Sequence, residues 1–189
     1  TKLKECFISK FDHPQCEFAH ILPLTICSNL GFDNMAGDFN NGLNLNPCLH
    51  ITFELENSIP KWTLKRVGEI ELYTTQYKLI TLEDGRNRAE KRYKDKIFEI
   101  NSNKAPYLDL HYKIFCYHNE ITPDQNITNF KGNYFKYNNF FLKYKNMIEN
   151  GKKVIKRKPE DTIDNNSSKK KCNTNGHIKG DIWQVKKIC

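Results

Sequence analysis

From residue 16 to residue 57 the chain alternates short apolar runs with Asn, Gly, Asp and Pro. That pattern predicts a strand, a long irregular loop, a second short strand and then a helix. Residues 18–24 read as the first strand, which ends at Pro23. Residues 33–42 are dense in loop formers (Asp33, Asn34, Gly37, Asp38, Asn40, Asn41, Gly42), after which Leu43 and Leu45 set a two-residue period for the second strand. The period changes at Asn46, a capping residue. Pro47 suits the first helical position, and Leu49, Ile51, Phe53 and Leu55 fit one or two helical turns.

Further along, residues 69–82 are rich in β-branched and aromatic side chains at period two, and Glu83, Asp84, Gly85 and Arg86 supply a turn, which predicts a small hairpin or edge sheet. Residues 88–100 and 107–117 read as helices, the second with Tyr107, Leu110, Ile114 and Phe115 at helical spacing after a break at Pro106. Residues 127–149 mix aromatic rings with Lys, and packing of those rings into the core competes with a role in stacking on bases. Residues 152–158 and 165–171 read as charged linker, and 176–189 as a short end piece anchored by Trp183. The expected fold class is α+β.

The chain has 189 residues, enough for one domain with an extension. At 38% hydrophobic and 28% charged residues, with a mean hydropathy of −0.72, it is polar without having the composition of a disordered chain. No apolar run approaches the ~18 residues of a membrane helix. The first residues lead into no hydrophobic h-region and include no initiator Met, so a trimmed or missing start is expected, and an intracellular setting, cytoplasmic or nuclear in a eukaryotic host.

The net charge of +8 is unevenly placed. Residues 1–120 hold 15 Lys and Arg against 16 Asp and Glu, whereas 121–189 hold 15 against 6. All of the excess lies in the last third, as in a nucleic-acid-binding arm, although solubilising basic tails share that asymmetry. The seven cysteines are widely spread with no C-x-x-C pair, which favours reduced intracellular thiols over a zinc ribbon.

Three polar residues fall where the predicted strand, loop, strand and helix would meet: His20, Asn41 and His50. The words around them are Cys16-Glu17-Phe18-Ala19-His20-Ile21-Leu22-Pro23, Asn41-Gly42-Leu43-Asn44-Leu45 and Leu49-His50-Ile51-Thr52-Phe53-Glu54. Here the chain resembles the HNH endonucleases, the ββα-metal nuclease superfamily, in the branch written C-x-x-A-H-I-x-P, N-G-L-x-L and L-H-x-x-F-D/E. Residues 107–115 look like the helix that often closes this module. The resemblance covers residues 6–117, strongly over 16–54. It implies an HNH nuclease domain over 1–118, with a small β hairpin and helices flanking the ββα-metal core, and a basic, aromatic-rich extension over 119–189.

Phosphodiester hydrolysis needs an activated water, an electrophile for charge developing on the phosphate, and a frame that aligns the two. The resemblance implies that His20 is the general base and His50 a ligand of a divalent ion, Mg²⁺ or Mn²⁺, with Zn²⁺ as an alternative. Glu54 lies four residues after His50, so on a helix both share a face and can reach one ion, the competing reading being a plain surface contact. Asn41 has an orienting role by resemblance, its amide bonding backbone to aim His20, while Gly42 supplies backbone angles for the tight entry into the second strand. The family often carries a ligand immediately before the base histidine. Here that position is Ala19, which leaves Glu17, Asp33 and Asp38 as further candidates.

Affinity for DNA is expected from cations that neutralise phosphates: Lys143, Lys145, Lys152, Lys153, Lys156, Arg157 and Lys158. The run 152–158 also reads as a nuclear localisation signal. Palindromic cutting would call for a homodimer. Two rivals stand beside the DNA endonuclease of restriction or mobile-element type: a nucleic-acid-binding protein that keeps the HNH fold without activity, and a zinc-stabilised structural domain built on Cys6, Cys16, Cys27 or Cys48.

Overall fold

Each described strand pairs antiparallel with its neighbour in sequence, so the sheets are small and local. The computed structural model describes residues 4–10, 12–13, 16–53, 60–82, 88–130 and 134–155. In chain order its elements are β1 (Lys4–Glu5), β2 (Asp12–His13), β3 (Glu17–His20), α1 (Leu24–Asn29), α2 (Asp33–Ala36), β4 (Gly42–Leu45), α3 (Pro47–Phe53), β5 (Trp62–Val67), β6 (Thr74–Thr81), α4 (Arg88–Tyr93), β7 (Ile97–Asn101), α5 (Ala105–His118), α6 (Gln125–Thr128) and α7 (Phe135–Ile155). The architecture is mixed α+β. No described helix is long and apolar enough to cross a membrane.

The second strand and its helix form for the reasons the sequence offers. Leu43 and Leu45 are buried on β4, Pro47 opens α3, and the Asn46 side chain caps it by accepting the Leu49 N–H at 3.0 Å. The first strand is shorter than the expected 18–24. It stops at His20; Leu22 is held by side-chain bonds instead of a ladder, and Pro23 leads into α1. The expected helix over 88–100 is two elements: Asp95, at φ 62°, ends the turn after α4, and Ile97–Asn101 pairs with β6, burying Phe98 and Ile100 on alternate positions. The partner of β6 also lies upstream, in β5, with Gly68 (φ 80°) in the connection, while the expected turn at 83–86 lies outside the described residues.

Helix α5 runs through the centre, packed on β5 and against α7. Tyr137, Phe140 and Tyr144 of α7 belong to the same core cluster as Leu45, Leu49, Leu64 and Leu108, so rings of the aromatic-basic segment serve packing. Inside this core Arg66 Nε donates to Asp109 Oδ2 at 3.0 Å, and Tyr77 Oη donates to Asp109 Oδ1 at 3.0 Å. Pairing is what makes burial of these charges tolerable.

His111 links three elements. Its ring stacks on Phe53 at 4.2 Å; Nε2 donates to the Phe53 carbonyl at 3.1 Å, so Nδ1 of the neutral ring accepts from Thr63 Oγ1 at 2.9 Å. Burial pushes its pKa down from 6.5 to about 4, the Phe53 bond opposing. The unfolded chain therefore binds a proton that the folded one refuses: stability from this group is complete above pH 6.5 and is lost as pH falls through 4, about 3 kcal/mol in all. Asp109 has the opposite sign. Burial raises its carboxyl from 3.8 to about 6 against the pull of Arg66, so its contribution is present below 3.8 and is lost as pH rises through 6. Between pH 4 and 6 the two contributions therefore oppose one another, that of His111 growing as pH rises and that of Asp109 as pH falls. NMR titration should place His111 near 4; a ring titrating at the ordinary value would refute this packing.

Candidate functional site

The β3–β4 hairpin sets Glu17 opposite Leu45, Phe18 opposite Asn44, Ala19 opposite Leu43 and His20 opposite Gly42. Just past its end the fully buried Asn41 ties down the loop that joins the strands. Its Oδ1 accepts the Leu22 N–H at 2.8 Å, and its Nδ2 donates to the Leu22 carbonyl at 2.9 Å and the Met35 carbonyl at 3.2 Å. Its own carbonyl accepts the Ile21 N–H at 3.2 Å. A primary amide offers both donor and acceptor, so one side chain closes a gap in the backbone pairing two residues after His20.

His20 is half-buried and packs edge-on against Phe18, ring centroids 5.2 Å apart. Both line an open hollow of about 550 Å³ with Leu24, Ser28, Ala36, Gly37, Asp38 and Phe39. The Phe18 ring lies directly on Gly42, where any Cβ would fall inside it. Gly42 has no positive φ, so close approach and not backbone angle is what the hairpin requires of it. Gly42→Ala is expected to displace the ring and the His20 edge resting on it, at about 1–3 kcal/mol. A lowered urea midpoint at unchanged slope would show this, whereas an unchanged midpoint would mean that the ring moves aside freely.

His50 sits in the middle of α3, which Trp62 steadies by donating Nε1 to the Leu49 carbonyl at 3.2 Å and to Thr52 Oγ1 at 3.1 Å. Its Nδ1 meets Glu17 Oε2 at 2.7 Å. An ionised carboxylate only accepts, so Nδ1 carries the proton and Nε2 of the neutral ring carries the lone pair, the tautomer able to ligate an ion. Glu17 is therefore placed to orient His50.

Strand alternation puts Phe18 and His20 on one face of the hairpin, and Glu17 and Ala19 on the other. The structure thus joins His20 with Phe18 and His50 with Glu17, and the hollow at His20 does not include His50. Ala19 is fully buried. Among the described residues no group of three or more His, Cys, Asp or Glu side chains is arranged to hold a metal ion. Glu54 lies outside the described residues, as do Lys156, Arg157 and Lys158.

Lys143 donates to the Leu30 carbonyl at 3.1 Å and lies 5.0 Å over the Phe32 ring, while Lys145 pairs with Glu149 at 3.7 Å. Both amines are engaged by the fold itself. Lys152 and Lys153 belong to the last turn of α7. Asp33 opens α2 and is exposed. Asp38 serves the loop: Tyr107 Oη donates to Oδ2 at 2.6 Å, and the backbone and side chain of Asn40 donate to Oδ1. Burial raises its pKa, but the Tyr107 and Asn40 bonds outweigh that and hold it below the usual carboxylate range.

Two further residues border the site. Lys104 reaches from the foot of α5 to donate to the Gly42 carbonyl at 2.8 Å and the Phe39 carbonyl at 3.3 Å. Burial lowers its pKa, with Asp38 opposing. Phe39 stands exposed between Asp38 and Asn40. A lone phenyl in a loop of Asn, Asp and Gly was the available sequence signal for the latter; Lys104, 62 residues from its Gly42 partner, had none. Compared with known proteins, the chain matches no family model, no curated protein and no solved structure.

Proposed function

We propose that the chain is a metal-dependent DNA endonuclease of the HNH type, with a ββα-metal core formed by β3, β4 and α3. The observation that carries this reading is the Asn41-clamped hairpin: it offers a half-exposed His20 beside an open hollow, and the helix after its second strand holds His50 against a carboxylate. His20 takes the proton of the attacking water. Glu17 fixes the His50 tautomer, and His50 with Glu54 would hold a Mg²⁺ or Mn²⁺ ion that keeps much of its own water. Such an ion supplies Lewis-acid stabilisation of charge on the phosphate. A DNA strand served by both histidines would reach from the hollow at His20 to His50 beside Glu17. Lys152 and Lys153 of α7 and the basic residues after them would supply phosphate contacts, and a homodimer would place two sites on a palindrome.

Ala19, fully buried where the family often carries a ligand, favours a second reading, a DNA-binding protein that keeps the fold without cutting. A plasmid assay separates the two. The nuclease reading expects nicked or linear product with Mg²⁺ or Mn²⁺ that chelator abolishes; retardation of the plasmid with no cleavage in either metal would favour the binder.

A further inference from the structure

Phe39 is 77% exposed and yet firmly placed. Its ring stacks on Phe18 at 6.0 Å and 28°, its carbonyl accepts from Lys104, and the Lys104 ammonium lies 5.0 Å from the ring centre. The two phenyls form a ledge between two hollows, both of which they line. One, of about 550 Å³, contains His20; the other, of about 370 Å³, contains Lys10 and Lys104. Thus an exposed aromatic face stands between a candidate base and a pair of amines.

We infer that this ledge stacks an unpaired DNA nucleotide beside the phosphate to be cut, with Lys104 and Lys10 receiving the neighbouring phosphate. The inference rests on the nuclease reading and specifies its substrate as a strand that is single or locally splayed. Base stacking on an aromatic ring suits any sequence, and a base held in a duplex has no face to offer a ledge. Lys10 and Lys104 are matched by two carboxylates in the lining, so the ring, and not net charge, carries the preference for a nucleotide. Glu5 lines the second hollow but pairs at 4.0 Å with Lys10, both side chains being more than half exposed, and Asp38 in the first hollow is occupied by Tyr107 and Asn40. The edge-on contact of Phe18 with His20 couples the seat of the base to the group that would act on the phosphate.

The test uses the full chain in chelator at about 0.15 M salt, with a single-stranded DNA oligonucleotide carrying 2-aminopurine and the same sequence as a duplex. The expected result is tighter binding of the single strand, with quenched 2-aminopurine fluorescence. Phe39→Ala should weaken that binding about 10- to 100-fold, Phe39→Leu should do the same because it keeps apolar bulk without a ring, and Phe39→Trp should retain it. An unchanged urea midpoint checks that each variant is folded. Equal affinity of wild type and Phe39→Ala, wild-type behaviour of Phe39→Leu, or preference for the duplex would overturn the ledge. Plasmid cleavage with metal is read separately: Phe39-dependent binding without cleavage removes the nuclease reading and keeps the ledge, and cleavage without a Phe39 effect does the reverse.

Discussion

Asn41→Ala is expected to lower stability by at least about 3 kcal/mol, because three buried backbone groups lose their partner at once and each such loss costs about 1–3 kcal/mol. Leu22 would lose both its N–H acceptor and its carbonyl donor, and Met35 the donor to its carbonyl. Asn41→Asp is the informative companion. It keeps an oxygen for the Leu22 N–H but turns a second oxygen toward two carbonyls in a fully buried position, so it should be no more stable than the alanine variant. Urea unfolding at constant slope measures both. A loss below about 1 kcal/mol in the alanine variant would mean that water takes over the amide's bonds and that the loop does not depend on this residue.

What the sequence made legible was mostly local. Asn46 and Pro47 mark the start of α3 through chemistry contained within a few residues, and Leu43 with Leu45 show the buried face of β4 by their spacing. Asn41 stood out by its setting, but its partners Leu22 and Met35 are set by the folded loop. The misread segments are those in which tertiary pairing overrides local pattern. Residues 97–101 carry Ile, Phe and Ile near a helical repeat, and only the presence of β6 alongside turns them into a strand. Residues 18–24 look like one continuous strand, but Asn41 takes the backbone groups of Leu22 for itself. Nothing in the spacing of residues 107–117 marks His111. Its role in tying Phe53 to Thr63 depends on contacts 58 and 48 residues away, a separation at which periodicity carries no information.

If the chain is the proposed nuclease, His20→Ala is expected to cut the rate of metal-dependent DNA cleavage by about 10²–10⁴-fold, the usual contribution of a positioned general base. Stability should change little, because the ring is half-exposed and its described contact is the edge of Phe18. The variant should also lose the dependence on pH that deprotonation of the base gives to kcat/KM, which a merely structural histidine would leave in place. Glu17→Gln should behave differently. With the carboxylate behind His50 gone, the apparent metal affinity should fall about 10- to 100-fold, and added metal should restore much of the rate. Because His20 and His50 are held by different partners, Phe18 and Glu17, their cooperation is best read from the double variant. Two groups that serve one transition state give a double loss far smaller than the product of the single losses, so His20→Ala combined with His50→Ala should be little slower than the worse of the two. If the two losses multiply instead, the histidines act independently, and a single site shared by both is excluded.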